Sequence, residues 1–294
     1  MHVKFGTFEV EGRDTLSVVD EVNARFWPLR EILGEDVAFE SLVERFAQIG
    51  PKLTLNGRGR PLSNATVKAP IPRPRRNIFC VGKNYRDHAK EFASSGFDSS
   101  AKSRDDAIPD APIIFTKAPE SVVGPHQPIE MPKVSQSVDY EAELAVIIGK
   151  QGRGVARADA YKHVWGYTII NDVTARDWQA KHKQWFLGKS FDTFCPMGPF
   201  VVTADELDPE NLDIKCWVNG ELRQSANTRD LIFDIPSLVE TISAGITLYP
   251  GDIIATGTPA GVGIGFTPPR YLREGDEVRI DVQGIGLLVN KVEA

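Results

Sequence analysis

Residues 139–149, with the sequence Asp-Tyr-Glu-Ala-Glu-Leu-Ala-Val-Ile-Ile-Gly, place two carboxylates one residue apart at the start of an apolar run. Because alternate residues of a strand share a face, Glu141 and Glu143 are predicted to lie side by side at the beginning of a buried strand. Two like charges in that position repel each other unless one is protonated or a cation lies between them. The pair therefore predicts a divalent metal site. The alternative is an edge strand whose two glutamates point into water.

The composition is typical of a globular protein and argues against several classes of partner. With 294 residues, of which 41% are hydrophobic and 25% charged, the chain can form one large domain and a smaller one. The formal net charge of -6 disfavours nucleic acid and anionic membranes, which both reward basic excess. Three scattered cysteines predict neither a disulfide framework nor a zinc cluster. We expect a cytoplasmic protein with no nucleic-acid or membrane partner.

Two domains are predicted, with a boundary at residue 70. Residues 1–70 combine an alternating strand pattern at 3–10 with helical spacing at 39–49, which indicates a small N-terminal α/β domain. The proline-rich stretch 69–76 interrupts every regular pattern, because proline lacks a backbone donor and biases its neighbours toward extended conformations. Residues 71–294 are predicted to form the second domain.

The second domain is predicted to be β-rich with few helices, so the fold class is α+β. An Asn-Gly turn at 219–220 predicts a hairpin over residues 213–223. The polar stretch 94–106 has no clear periodicity and predicts a mobile loop. Further strands are predicted at 78–81, 113–116, 144–148, 167–170, 253–256 and 278–282, and helices at 174–183 and 236–243.

Asp172 follows an apolar strand pattern and adds a third carboxylate to the candidate metal site. Three hard oxygen ligands suit Mg²⁺ or Mn²⁺ better than zinc, and an octahedral ion would keep positions for water or substrate. The alternative role of Asp172 is to cap the helix predicted after it.

His88 and Glu91 form a second constellation, because they share a face if residues 87–91 make one helical turn. A carboxylate beside an imidazole fixes the tautomer of the ring and raises its basicity, which suits activation of water. The alternative is a surface ion pair.

Lys189 is a candidate for stabilising an enolate or oxyanion, or alternatively a solvated surface charge. The glycine-rich turn 257–263 offers N–H groups to a carboxylate but lacks the glycine spacing and lysine of a phosphate loop.

Six segments together resemble the fumarylacetoacetate hydrolase family, and the resemblance extends over roughly residues 72–292. They are 78–85 (IFCVGKNY), 139–144 (DYEAEL), 171–177 (NDVTARD), 188–190 (GKS), 218–221 (VNGE) and 256–259 (TGTP). The resemblance implies the fumarylacetoacetase-type fold, a mixed β-roll or barrel-like core with few helices, and a homodimer. It also implies residue roles: Mg²⁺ or Mn²⁺ held by Glu141, Glu143 and Asp172; a water-activating pair of His88 and Glu91 on a lid; Lys189 as an active-site cation; and substrate contacts from Tyr85, Gln179 and Thr258.

These residues predict metal-dependent cleavage of a carbon-carbon bond in a small 2-oxo acid. An oxaloacetate decarboxylase and an acylpyruvate hydrolase both generate a pyruvate enolate, so one electrostatic design serves both reactions. One alternative is an isomerase or tautomerase of unsaturated dicarboxylates such as 2-hydroxyhepta-2,4-diene-1,7-dioate, which moves a proton instead. The other alternative is a non-catalytic, metal-bound protein that binds oxo acids.

Overall fold

The computed structural model describes residues 4–98 and 107–294, so residues 99–106 of the predicted mobile loop lie outside the described residues. The strands are β1 Lys4–Val10, β2 Arg13–Asp20, β3 Arg25–Pro28, β4 Arg60–Pro61, β5 Thr66–Lys68, β6 Ile78–Gly82, β7 Ile113–Lys117, β8 Val122–Val123, β9 Ile129–Glu130, β10 Val138–Asp139, β11 Ala142–Ile148, β12 Val164–Asn171, β13 Thr174–Ala175, β14 Cys195–Pro196, β15 Val201–Thr203, β16 Asp213–Val218, β17 Glu221–Asn227, β18 Ile253–Ala255, β19 Glu277–Val282 and β20 Gly286–Glu293. The α-helices are α1 Leu29–Leu33, α2 Phe39–Glu44, α3 Phe46–Ile49, α4 Arg86–Ser94, α5 Arg176–His182, α6 Phe186–Lys189 and α7 Ile235–Ser243.

Within the described residues, the main sheet has eleven strands in the order β4-β3-β2-β1-β15-β12-β11-β18-β6-β7, with β5 paired to β1. It is a mixed sheet, because β18 and β6 run parallel while the other pairs on this path are antiparallel. All seven residues of β11 are buried. Its unbroken apolar run explains this position, because a strand covered on both faces has no polar face to alternate with. The carboxylates at its start are thereby brought to the protein interior.

The second sheet covers the main one and has the order β17-β16-β19-β20-β9. Its first two strands form the predicted hairpin, with Asn219 and Gly220 both at positive φ in the turn. One apolar cluster joins the two sheets and includes Val146 and Tyr167 from the first and Ile214 and Ile280 from the second. The core between the sheets therefore fixes the strands that carry the candidate site.

The N-terminal strands continue the main sheet. Strand β1 pairs antiparallel with β15, with Lys4 opposite Val202, and so joins residues before and after position 70 through backbone hydrogen bonds. The proline-rich stretch between β5 and β6 has no strand or helix, as predicted. The division into domains at residue 70 stays a prediction.

The predicted strands of the second domain are all present, with bounds that differ by a few residues. The helix predicted over 39–49 is divided into α2 and α3, because Arg45 between them has φ −101° and ψ 11°. The helices predicted at 174–183 and 236–243 correspond to α5 and α7. None of the helices in the described ranges is both long and apolar enough to cross a membrane.

Candidate active site

The three predicted carboxylates meet at one end of the β11–β12 pair. These strands are antiparallel with Ala142 opposite Asn171, so the residue before β11 and the residue after β12 are neighbours. The Asp172 N–H donates to the carbonyl of Glu141 at 2.8 Å. Ligand atoms of Glu141, Glu143 and Asp172 all lie within 4.8 Å of one another. The antiparallel register thus unites side chains about thirty positions apart.

Burial decides between the alternatives for these carboxylates. Glu141, Glu143 and Asp172 are 4%, 1% and 0% exposed, so they do not form a solvated edge. Asp172 makes no cap hydrogen bond to α5, whose N-cap is Ala175. Burial, together with the negative charges of Asp172 and Glu141, raises the pKa of Glu143 well above its usual range. The interior therefore holds three acidic groups close enough to oppose one another's ionisation.

Two buried lysines bind these carboxylates. Lys189 Nζ at the end of α6 donates to Glu141 Oε2 and to Asp172 Oδ2, both at 2.7 Å. Lys117 Nζ at the end of β7 donates to Asp172 Oδ1 at 2.6 Å and to the Val173 carbonyl at 3.1 Å. Lys189 is thus an interior cation, and its alternative role as a solvated surface charge is wrong. Lys117 is absent from the sequence predictions, because a lysine that ends an apolar strand is an ordinary feature.

Arg176 is the third cation and was likewise not predicted. Its Nη2 lies 2.7 Å from Glu141 Oε1, and its Nε donates to Asp139 Oδ2 at 2.9 Å. Burial alone would raise the pKa of Glu141, but the positive charges of Lys189 and Arg176 lower it to about 2. The surroundings therefore act in opposite directions on the two glutamates of the Glu-x-Glu motif, since the pKa of Glu141 is lowered and that of Glu143 is raised.

The donor set fits a divalent ion. In the described part of the chain, four buried carboxyl groups (Asp139, Glu141, Glu143 and Asp172) are packed with three buried basic side chains (Lys117, Arg176 and Lys189), so one carboxyl group has no basic partner. Glu143 accepts the Gly257 N–H at 2.8 Å and forms no salt bridge within residues 4–98 and 107–294. Hard carboxylate oxygens are the ligands that Mg²⁺ and Mn²⁺ prefer. Glu141, Glu143 and Asp172 are the residues that would hold such an ion.

His88 and Glu91 lie on α4, above the same site. The two side chains are in contact, with His88 Nδ1 3.2 Å from Glu91 Oε2, and the His88 side chain is only 5% exposed. The pair is therefore not a surface ion pair. The Gly261 N–H donates to both oxygens of Glu91, at 3.1 and 3.3 Å, so the glycine-rich turn does present an amide to a carboxylate. That carboxylate belongs to the protein itself.

A small cavity of about 10 Å³ lies between α4 and the buried ion pairs. Five of the predicted site residues line it: His88, Glu141, Gln179, Lys189 and Thr258. Its remaining wall consists of Val81, Gly82, Lys83, Phe92, Phe115, Arg176 and Trp185. A space of this size holds about one water molecule, so a four-carbon acid enters only if side chains or α4 move.

The predicted substrate contacts differ in position. Gln179 accepts a hydrogen bond from Arg176 Nη1 at 3.2 Å, and Thr258 accepts one from Gln224 Nε2 at 2.8 Å, so both are fixed at the wall of the cavity. Tyr85 immediately precedes α4, where its hydroxyl is buried and makes no hydrogen bond within the described residues. Tyr85 is not among the lining residues. Burial and the charge of Glu143 raise the pKa of this phenol.

Comparison with known proteins identifies the family. The family described as "Fumarylacetoacetate (FAA) hydrolase C-terminal" matches residues 77–293, which is most of the chain. The chain belongs to the fumarylacetoacetate hydrolase family. Its fold class is thereby confirmed, since solved members share its architecture over nearly the full length. One is a fumarylacetoacetate hydrolase from psychrophilic Exiguobacterium antarcticum, with 41% identity, a TM-score of 0.81 and coverage of 99% of both chains.

Two further members of the fumarylacetoacetate hydrolase family have names that state their reactions. The oxaloacetate tautomerase YisK of Bacillus subtilis (strain 168) is 52% identical over 233 residues, which are 79% of this chain and 74% of that protein. A maleylpyruvate hydrolase from Sphingobium sp. SYK-6 was solved in complex with manganese(II) and pyruvate. It is 33% identical, with a TM-score of 0.78 and coverage of 99% of this chain and 98% of that one. These two relatives are thus named as enzymes that act on oxo acids.

Proposed function

We propose that this chain is a divalent-metal-dependent tautomerase that interconverts the keto and enol forms of oxaloacetate. The observation that carries the proposal is the buried triad of Glu141, Glu143 and Asp172 beside a cavity lined by His88 and Lys189. The similarity to YisK supports oxaloacetate as the substrate. Proton transfer is the alternative to bond cleavage that the sequence left open, and the similarity to YisK supports it.

The carboxylate triad would hold Mg²⁺ or Mn²⁺, and the similar maleylpyruvate hydrolase was solved in complex with manganese(II). When bound, such an ion supplies Lewis-acid chemistry that polarises the keto and carboxylate oxygens of a 2-oxo acid. The protein's part is to keep the ligands ionised and in place. Lys189 and Arg176 do this for Glu141 by lowering its pKa to about 2, against the opposing effect of burial.

His88 is the group proposed to move the proton. Its Nδ1 faces the Glu91 carboxylate, which leaves Nε2 as the nitrogen that takes up a proton. In the keto-to-enol direction, Nε2 accepts a proton from carbon 3 of oxaloacetate. The electron pair of that C–H bond forms the C2–C3 double bond, and the oxygen on carbon 2 gains negative charge. This oxygen then takes up a proton from water, and the imidazolium returns its proton to water. Glu91 stabilises the imidazolium formed in this step.

Positive charge around the cavity suits a dianionic substrate. Lys189 and Arg176 line it, and although burial opposes their charged forms, the neighbouring acidic groups raise the pKa of both side chains. A cation beside the developing enolate lowers its energy more in this buried site than in water, because the local dielectric constant is low. Gln179 and Thr258 add polar groups at fixed positions. We propose that these four side chains bind the substrate, and we expect the enzyme to be a homodimer.

Carbon-carbon cleavage is the second candidate, and the His88–Glu91 pair favours it. An imidazole held by a carboxylate can activate water against the distal carbonyl of an acylpyruvate, with pyruvate enolate as the leaving group. The maleylpyruvate hydrolase at 33% identity supports a reaction of this type. Decarboxylation of oxaloacetate gives the same enolate without an attacking water. It therefore requires the positive charges of Lys189 and Arg176 but not the His88–Glu91 pair.

The test compares three readouts in one set of variants. Enol–keto interconversion is followed by the ultraviolet absorbance of the enol, and pyruvate release is measured from oxaloacetate and from acetylpyruvate, with Mn²⁺ or with chelator. We expect Mn²⁺-dependent interconversion in the wild type and a loss of at least about 10²-fold in Glu141→Gln, since even outer-shell changes cost 10–100-fold. His88→Ala should slow interconversion, while any decarboxylation persists.

Glu274→Gln and His163→Ala are matched controls, because Glu274 is exposed and neither residue lines the cavity. Both controls should behave as the wild type. Full activity of Glu141→Gln in the presence of chelator would show that the metal site is wrongly assigned. Metal-dependent pyruvate release from acetylpyruvate without faster interconversion would replace the tautomerase by the hydrolase.

A further inference from the structure

The carboxylate of Glu91 packs against two glycines, Gly261 and Gly265, of the loop that follows β18. The Gly261 N–H donates to both of its oxygens. A Cβ added to Gly265 would lie 1.7 Å from Glu91 Oε1 and 2.1 Å from Cδ. Gly265 is not among the residues with positive φ, so its backbone conformation is open to any residue. The absence of a side chain at position 265 is therefore needed for space and not for conformation.

We propose that Gly261 and Gly265 are positioning residues for the proton transfer: they fix Glu91 so that it holds His88 over the cavity. This inference rests on the proposed function and extends it to the loop. A glutamate three residues from a histidine on a helix has rotatable side-chain bonds, and the pairing alone is weak. A backbone amide that donates to the carboxylate selects one rotamer of the side chain.

The loop that contains Gly261 and Gly265 also contacts residues next to the candidate metal site. The Gly261 carbonyl accepts a hydrogen bond from Tyr140 Oη at 2.8 Å. The N–H groups of Gly263 and Ile264 donate to Asp139 at 2.6 and 3.0 Å, and Asp139 also binds Arg176. Arg176 in turn contacts Glu141. The loop thus connects the His88–Glu91 pair to the carboxylate triad through buried, charge-assisted contacts, and so sets their relative position.

Gly265→Ala is the decisive variant. The atoms that its Cβ would meet belong to the end of a flexible side chain, so the protein can fold while Glu91 is displaced. Gly261 is unsuitable, because it has φ +102° and a Cβ there would lie 1.9 Å from the Arg223 carbonyl oxygen. Gly245→Ala is the matched control, since its added Cβ meets nothing within 4 Å and its φ is not positive.

The kinetic experiment is a double-mutant cycle of Gly265→Ala and Glu91→Ala, measured on the reaction that His88→Ala impairs. We expect Gly265→Ala to lower kcat by up to about 10²-fold with little change in KM, the size of effect that a displacement of 1 Å produces. In the Glu91→Ala background it should have no further effect, because the group it displaces is gone. Gly245→Ala should match the wild type.

Hydrogen exchange of the Gly261 amide gives a readout that does not require activity. Glu91→Ala and Gly265→Ala should both accelerate it, whereas Gly245→Ala should not. The proposal is overturned if Gly265→Ala has wild-type kcat, if its effect persists without Glu91, or if the Gly261 amide exchanges equally in all variants. An inactive wild type would instead reject the proposed function. The exchange experiment would still test whether the loop glycines fix the Glu91 carboxylate.

Discussion

Two cavities of this protein differ in size and in chemistry. A groove of about 690 Å³ runs between β2 and the loop after β15, and its walls include Val18, Val22, Leu55 and Leu207. The cavity at the carboxylate triad measures only about 10 Å³. The smaller space contains the converging titratable groups, whereas the larger one is mostly apolar with acidic side chains such as Glu21. In this molecule, buried charge locates the chemistry better than empty volume does.

The difference has a physical origin in how each wall is built. Side chains at the triad occupy the interior, and each charge there is bound by another charge or by a backbone group. In the groove, Val22 is 94% exposed and Glu21 is half-exposed in a pair with Lys4. Buried ion pairs are costly to break because the remaining charge has no water around it, while exposed pairs contribute little. Substitutions in the two regions should therefore have unequal effects.

The largest effect is expected from Lys117→Met. Lys117 and Asp172 form an ion pair in which neither side chain is exposed. Removing one partner of such a pair costs about 3–5 kcal/mol, because an uncompensated charge is left in the interior. We expect a corresponding fall in the free energy of unfolding by urea in the presence of chelator. The fall should be smaller with Mn²⁺, since a bound dication would oppose the same negative charge.

Glu21→Gln in the groove is the control for Lys117→Met. It removes an exposed charge pair and should change the free energy of unfolding by less than about 1 kcal/mol. Equal destabilisation by the two substitutions would contradict the expected difference between the triad and the groove. An equal loss of stability in Lys117→Met with chelator and with Mn²⁺ would show that no bound ion compensates for the missing lysine.

A second expectation concerns pH and distinguishes Glu143 from the acids of the groove. The pKa of Glu143 is raised by burial and by Asp172 and Glu141, so the folded protein binds a proton that the unfolded chain releases near 4.5. Stability without metal should therefore fall as pH rises from 4.5 toward the raised pKa. Metal binding must expel this proton, so affinity should increase by up to about tenfold per pH unit within the same window.

Calorimetric titration with Mn²⁺ in buffers of different ionisation enthalpy measures this proton release directly. The wild type should release a proton on binding within the window, and Glu21→Gln should do the same. Glu143→Gln should bind weakly and release fewer protons. An affinity that is independent of pH above 4.5 would show that Glu143 is already ionised in the metal-free protein.

The carboxylates could be predicted because their signal is local. The Glu-x-Glu pattern starts an apolar strand and Asp172 ends another, and antiparallel neighbours bring such ends together. The His88–Glu91 pair could be predicted for the same reason, since one helical turn contains both residues. The strands β6, β7, β11 and β12 also follow directly from their apolar runs.

The partners of these residues could not be predicted, because they depend on which distant elements meet. Lys117 and Asp172 are separated by 55 positions, and Gly261 and Glu91 by 170. The alternation of polar and apolar residues along a strand does not predict that β18 lies between β11 and β6. The need for glycine at position 265 likewise appears only when α4 is placed against the loop. Long-range packing, and not local propensity, supplies the groups that set charge and position at this site.

The smallest expected effect concerns the aromatic wall and substrate size. Trp185 packs edge-on against Phe115 at 5.3 Å and Phe92 at 5.9 Å, and its ring covers Gly82, where a Cβ would lie 2.2 Å from Cζ3. Trp185→Leu should open this wall and shift the preference from oxaloacetate toward longer acylpyruvates by about tenfold in kcat/KM, a typical discrimination by an apolar pocket. Leu55→Ala in the groove should leave the ratio unchanged. If the ratio of kcat/KM values is the same in Trp185→Leu and the wild type, substrate size is set by another wall. If Leu55→Ala shifts it equally, the groove and the cavity are coupled, and the contrast between a chemical and a non-chemical region fails.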